Sequence, residues 1–416
     1  MDRTRPATAA LALALSVLAS SCLAPAAVAA RGSAIRPSLS ASFTHTSYVP
    51  GQLAELLVRG RGGRFQLQIL RAGAERSWSA VGRPWGPERT LLVGRGKLHR
   101  LFVRMGAWDS GLYFARLSTS TRVTYAPFVL RPGVYGRRSR VAIILPSYSW
   151  QAYNFYDANG DGRPDSWYAD PGRRNVLLGR PFAGDGKPPH YRTQERGFLR
   201  FLVHTGKKAD YLSDEDLESF QSGDQLAGLY DLIIFSGHEE YVTGHIYDLI
   251  QRYRDLGGNL AFLSADNFFR RVDLSHGHLW LINLWRNLGR PEAALVGDAY
   301  RGNDRGGHVA PYVVTNAEAA PWLFQGLPVG DGAPLGAARY GIEFDMPTAD
   351  SPPGTTVLAE VDPPGLANGA IRGDMTYYET SAGAKVFAAG TLGFGGSDNA
   401  VASILFENLW DHLTVP

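Results

Sequence analysis

Gly237, His238, Glu239, Glu240 and Tyr241 stand side by side directly after an apolar run at 229–235. An imidazole beside carboxylates can move protons near neutral pH, and the same groups can hold a metal ion. The pattern of apolar run followed by polar cluster recurs along the chain. Val141–Leu145 is followed by Tyr148, Trp150, Tyr153 and Asn154, and the run at 259–263 by Asp266 and Asn267. Glu379 precedes a further run at 384–389, whose far end is Thr391. Open parallel sheets bind ligands beyond the carboxyl ends of their strands. The clusters are therefore expected to converge on one crevice, with His238, Asp266, Asn267 and Glu379 as its catalytic groups. Polar loops also arise simply because loops are exposed, so convergence in space is the test.

A second motif has a sharper spacing. Asp157, Asn159, Asp161 and Asp165 occupy positions 1, 3, 5 and 9 of a stretch with Gly162 at position 6. Alternate oxygen side chains around a glycine bend form the head of a calcium loop. Position 12 is Tyr168, where an EF-hand has a bidentate glutamate, so the match is partial. A structural calcium bracing the loop is the expectation, and an Asx-rich turn without metal is the alternative.

Several chemistries are excluded by what is missing. There is no G-x-S-x-G elbow for a serine hydrolase. His238-Glu239 is followed by His245, so the H-E-x-x-H pattern of a zinc protease is absent. The only cysteine is Cys22, and no phosphate-binding glycine loop of either common type occurs.

The elements that must position these residues fall into two blocks. From about 42 to 135, short alternating segments such as 53–58, 65–70, 101–104, 111–117 and 126–130 alternate with Gly-, Pro- and Ser-rich turns. Period-2 strands at this spacing predict a small antiparallel β-sandwich, and Trp108 to Tyr113 resembles the corner before a late strand of an immunoglobulin-like domain. From 138 to 416 apolar strands alternate with helices expected at 193–205, 243–256 and 399–413. Ser213 and Asp216 read as a capping box. The alternation predicts an α/β domain with a flavodoxin-like, doubly wound parallel sheet.

Composition bounds the setting. The net charge is +3 with 44% hydrophobic residues, and the arginines are scattered rather than clustered, which argues against nucleic acid. Arg3 and Arg5, an apolar stretch at 7–20 and Ala27-Val28-Ala29 read as a signal peptide over 1–30, followed by a linker at 31–41. A secreted protein is expected; lipid attachment at Cys22 is the weaker alternative, because Ala19 stands where a large aliphatic is usual. No later stretch is long enough to span a bilayer.

The residues 147–154, Gly179-Arg180-Pro181-Phe182, Glu195, 237–241, 257–260 and 266–270, in this order, resemble the large (beta) subunit of N,N-dimethylformamidase in its C-terminal domain, over roughly 138 to 413. The resemblance implies hydrolysis of a small amide at a mononuclear iron held by two tyrosines and a glutamate. Carried over by position, the ligands are Glu240 and Tyr153, with Tyr148 as the alternative to Tyr153, and His238 is the proton-handling neighbour. The second tyrosine falls on Phe182, which cannot ligate; Tyr168 or Tyr191 then has to substitute. Asp266 replaces an expected asparagine, Glu379 takes the place of a further acid, and Glu239 is expected to face solvent. A small-subunit partner is implied, with a homo-oligomer also open. The competing readings are a non-catalytic binding protein, favoured if Phe182 faces Glu240 and Tyr153 with no other tyrosine near, and carbohydrate recognition through Trp150, Trp167 and Tyr168.

Overall fold

The computed structural model describes residues 37–415 except 61–62, 76–83, 94–97, 171, 364–365 and 367–369, with side chains left out at 84–93. The expected signal peptide, Cys22 and most of the linker lie outside the described residues.

The N-terminal block forms two packed sheets. One holds Ser40–Phe43, Leu53–Arg59 and Leu98–Arg104; the other holds Ser47–Tyr48, Gly63–Arg71, Pro84–Val93, Gly111–Ser118 and Val123–Leu130. Alternation works as the period requires. Ala54, Leu56 and Val58 are buried while the residues between them are partly exposed. Pro50-Gly51 makes the turn: Gln52 N–H donates to Val49 O at 3.1 Å, and Gly51 has the positive φ of 84° that the third turn position needs. Tyr113 Oη reaches back to Asp109 O at 2.9 Å, fixing the corner before its strand.

The second block is mixed α/β around an eight-stranded sheet. Asp210–Ser213, Val141–Leu145, Leu232–Phe235, Asn259–Phe262 and Lys385–Ala388 lie side by side and run parallel. Their strand order by sequence is 2-1-3-4-5. Gly373–Glu379, Thr356–Val361 and Val313–Val314 extend the sheet antiparallel. Every residue of Val141–Leu145 is buried, as expected of a strand covered on both faces. Helices Arg196–Thr205 and Ala400–Leu413 pack on one face and Gly244–Asp255 on the other. The first face also receives Leu70, Leu112 and Phe114 of the sandwich, so the two blocks share one apolar cluster.

Local signals hold where they were sharp. Ser213 and Asp216 form a reciprocal capping box, although the helix behind them is one turn long. Thr243 caps Gly244–Asp255 by accepting from Ile246 N–H at 3.1 Å, and Gly257 follows its end with φ 97°. Beyond 275, where the sequence pattern is weak, the chain builds a further sheet from Ala299–Asn303, Val309–Ala310, Tyr340–Met346 and Thr391–Leu392. That sheet adds residues to the crevice that the apolar runs did not announce. Among the described residues no helix is long and apolar enough to cross a membrane.

Candidate active site

Four chain segments bring oxygen and nitrogen atoms to the carboxyl end of the parallel sheet. Tyr153 ends the single-turn helix Ser147–Ala152, directly after the first strand. His238 and Glu240 follow Leu232–Phe235, and Asp266 follows Asn259–Phe262. Tyr168 arrives from the loop after Tyr153. Arg180 holds that loop: its guanidinium donates to Asp165 O at 2.6 Å, Tyr156 O at 3.3 Å and Leu177 O at 2.8 Å.

The centre is one carboxylate. Tyr153 Oη donates to Glu240 Oε2 at 2.7 Å and Tyr168 Oη donates to the same oxygen at 2.9 Å. The two rings stack with centroids 4.2 Å apart, and Tyr241 Oη lies 2.6 Å from Tyr168 Oη. Arg270 Nε donates to the other oxygen, Oε1, at 3.1 Å. Ser149 Oγ accepts from Glu240 N–H at 3.1 Å, tying this loop to the first helix turn.

His238 is oriented by a backbone carbonyl. A carbonyl only accepts, so Nδ1 carries the proton it donates to Ala265 O at 2.9 Å. Nε2 then faces Tyr153 Oη at 3.0 Å, Glu240 Oε2 at 3.2 Å and Glu343 Oε2 at 3.6 Å. Burial disfavours the charged imidazole, but Glu343 and Glu240 outweigh it and lift its pKa to about 9. Burial likewise opposes the Glu240 carboxylate; His238 and Arg270 outweigh it and hold the pKa below the usual value. Tyr153 and Tyr168 are pushed well above 10, by burial first and then by the Glu240 charge. A bound cation would reverse that balance, since it stabilises phenolate.

Glu343 was not anticipated. It belongs to the weakly patterned strand Tyr340–Met346, where Ile342 points outward with φ 75° and Glu343 is buried. The register of this strand shifts between Gly341 and Phe344, a bulge that re-aims the side chain toward His238. The one available signal was acids at 343 and 345, two apart in a strand and so on one face. Asp266, at φ 55°, anchors its N–H on Asp345 Oδ2 at 2.6 Å. Its carboxyl is raised well above the usual range by burial and then by the charges of Glu240 and Glu343.

Other expectations are corrected. Glu379 pairs in register with Lys385 at the start of its strand, which is the opposite end of the parallel sheet, and takes the Tyr377 hydroxyl at 2.6 Å. Tyr148 is fully buried in the apolar cluster below the crevice, with no hydrogen bond to its hydroxyl. Asn267 is buried and bonds to backbone: it donates to Ser264 O at 2.9 Å and accepts from Glu239 N–H at 3.4 Å. Glu239 does not face solvent; it is fully buried near Asp214, and burial followed by the Asp214 charge raises its pKa well above 4.5.

Phe182 packs edge-on to Trp150 at 6.5 Å, in the apolar cluster shared with the sandwich. Tyr191 also lies there, donating to Glu75. The tyrosine that joins Tyr153 is Tyr168. Trp150 and Trp167 are 4% and 8% exposed, so they offer no platform for a sugar ring.

In the 157–165 loop the acidic oxygens meet the loop's own N–H groups. Asp157 accepts from Gly160 and Gly162 at 2.5 and 3.0 Å, Asn159 from Asp161 at 2.8 Å and Asp161 from Arg163 at 2.8 Å. Asp165 accepts from Ala158 N–H at 2.7 Å and pairs with Arg173 at 2.5 Å.

A family model described as N,N-dimethylformamidase beta subunit-like, C-terminal, matches residues 81–399 and so takes in strands of the sandwich as well as the α/β block. The N,N-dimethylformamidase beta subunit of Alcaligenes sp is 24% identical over 307 residues, covering 60% of this chain and 39% of that protein. The same-named subunit of Paracoccus aminophilus is 24% identical over 300 residues, covering 58% and 38%. The chain therefore spans about two fifths of the length of these relatives.

Proposed function

On the premise that the chain belongs to the N,N-dimethylformamidase beta subunit-like, C-terminal family, we propose that it hydrolyses the carbon–nitrogen bond of a small amide, with iron held by Tyr153, Tyr168 and Glu240. The observation that carries this reading is the convergence of both phenols on one buried carboxylate oxygen, at 2.7 and 2.9 Å. Oxygens roughly 2.0 Å from a shared octahedral ion lie about 2.8 Å apart, so the donor set fits. Phenolate and carboxylate are hard donors, and iron bound by them would act as a Lewis acid on the amide carbonyl and on water.

The remaining work falls to the chain's own groups. His238, fixed by Ala265 O, presents Nε2 beside the ligand cluster and can deliver a proton to the leaving amine. Glu343, 3.6 Å from Nε2, stabilises the imidazolium and can reset its proton. Arg270 holds Glu240 in one orientation and lowers the charge of the site.

Export rests on residues 1–30, and a small-subunit partner on the names of the relatives. The sandwich is read as immunoglobulin-like from its Tyr113 corner, and the parallel sheet as flavodoxin-like from its strand order. Calcium in the 157–165 loop rests on donor spacing, and is tested by whether added calcium raises the melting temperature of the protein but not of Asp161→Ala. The central test is metal analysis of the purified mature protein together with amine release from small amides. Protein without iron, and activity unchanged in Tyr168→Phe and Glu240→Gln, would refute it.

A further inference from the structure

Three buried side chains, two of them already used in proton handling, stand together beside the tyrosine–glutamate cluster. His238, Asp266 and Glu343 each offer one ligand atom, all within 4.8 Å of one another, and among the described residues no other group of three His, Cys, Asp or Glu does so. They come from separate elements: the end of one parallel strand, the end of its neighbour, and the bulged strand of the second sheet. All are buried, at 3%, 4% and 7% exposure.

Two observations point to an occupant. Asp266 Oδ1 and Glu343 Oε2 are buried without a hydrogen-bond partner. No lysine or arginine forms an ion pair with either among the described residues; Arg270 is taken by Glu240, and the His238 ring, 3.6 Å from Glu343, is the one cationic neighbour. Buried carboxylate oxygens left bare cost several kcal/mol unless a cation or proton meets them. Each group is also held in place from behind. Ala265 O accepts from His238 Nδ1, Asn303 Nδ2 donates to Glu343 Oε1 at 2.9 Å, and Asp345 anchors the Asp266 backbone at 2.6 Å. Bracing of this kind is what fixes metal ligands.

We infer that His238, Asp266 and Glu343 form a second, inhibitory divalent-cation site, best matched to zinc. One imidazole nitrogen and two carboxylates would supply three of the four positions of a tetrahedral zinc and leave the fourth to water, with ligand atoms roughly 2.0–2.2 Å from the ion and about 3.3 Å from each other. His238 Nε2 and Glu343 Oε2 are already 3.6 Å apart. Filling this site occupies the Nε2 lone pair, so the imidazole can no longer carry the proton of the leaving amine. The inhibition rests on the proposed amide hydrolysis; the binding does not.

The test uses the mature full-length protein, stripped with chelator and equilibrated with zinc alone. Equilibrium dialysis with metal analysis should give one zinc per chain with a raised melting temperature. Asp266→Asn and Glu343→Gln, near-isosteric changes checked for a wild-type circular dichroism spectrum, should each weaken binding at least about thirtyfold. In iron-loaded enzyme, zinc should abolish amide hydrolysis reversibly while the iron content and its phenolate absorption persist. Zinc binding indifferent to both substitutions, absence of a stoichiometric zinc, or one-for-one displacement of iron would each overturn the assignment. Protein that binds zinc as described yet takes up no iron would refute the proposed function while leaving this site standing.

Discussion

Ile342 turns its aliphatic side chain out to solvent, at 43% exposure, while its neighbour Glu343 is buried against His238. Chemistry alone would reverse the two. The inversion depends on a φ of 75° at a β-branched residue, which the backbone tolerates poorly. Strain of this kind is kept where the surrounding structure over-determines it, and here it puts the Glu343 carboxylate beside the imidazole.

Glycine at 342 removes that strain. A non-glycine residue in the left-handed region costs about 1–2 kcal/mol, partly offset by the greater unfolded freedom of glycine. Ile342→Gly is expected to stabilise the fold by about 1 kcal/mol, seen as a higher midpoint in urea. A loss of stability would show that the Ile342 side chain contributes packing that its exposure conceals.

The two candidate second tyrosine positions can be separated directly. Tyr168→Phe removes a donor from Glu240 and is expected to weaken iron retention about 100-fold, measured by metal analysis after dialysis. Phe182→Tyr should leave retention unchanged, because Phe182 sits against Trp150 and the sandwich. A gain of iron in Phe182→Tyr would contradict the placement.

Arg180 is the brace for the loop that delivers Tyr168. It is 3% exposed and donates to the carbonyls of Gln151, Asn154, Tyr156, Asp165 and Leu177. Arg180→Met keeps the bulk but strands those acceptors, with an expected loss of about 3–5 kcal/mol. Limited proteolysis should then cut first within 155–175; cleavage elsewhere would argue against this role.

Stability should fall as pH rises. Burial lifts Glu195 to about 7, and burial with the Asp374 charge lifts Asp298 to about 8. A carboxyl whose pKa is raised on folding holds its proton more tightly in the folded state. Its contribution is complete below the unfolded value near 4 and is lost as pH rises through 7 to 8. The expected loss between pH 5 and pH 8.5 is on the order of a few kcal/mol, measured by thermal unfolding. Asp298→Asn should flatten this slope; an unchanged profile would remove Asp298 as a cause.

Local and periodic signals are legible in the sequence. The buried strands, the cap at Ser213 and the strand-end positions of His238, Glu240 and Asp266 follow from patterns a few residues long. Tyr153 was likewise placed by its distance from the first strand. For Glu379, proximity to an apolar run does not say which end of the strand it marks; antiparallel pairing with Lys385 puts it at the far end. Nothing in the spacing distinguishes Glu239 from its neighbour Glu240, yet Asp214 and the surrounding core enclose it where exposure is expected.

What the sequence determined by itself is the identity and order of the reactive groups: His238, Glu240, Tyr153, Asp266 and the tyrosines available to join them. Those depend on interactions between near neighbours, which spacing encodes. Only the tertiary structure decided which tyrosine completes the set and which acid faces the imidazole. Tyr168 lies 72 residues from Glu240 and Glu343 is over a hundred residues from His238. Such pairs are chosen by how loops are braced and by a bulge in one strand, through long-range contacts that no local pattern carries.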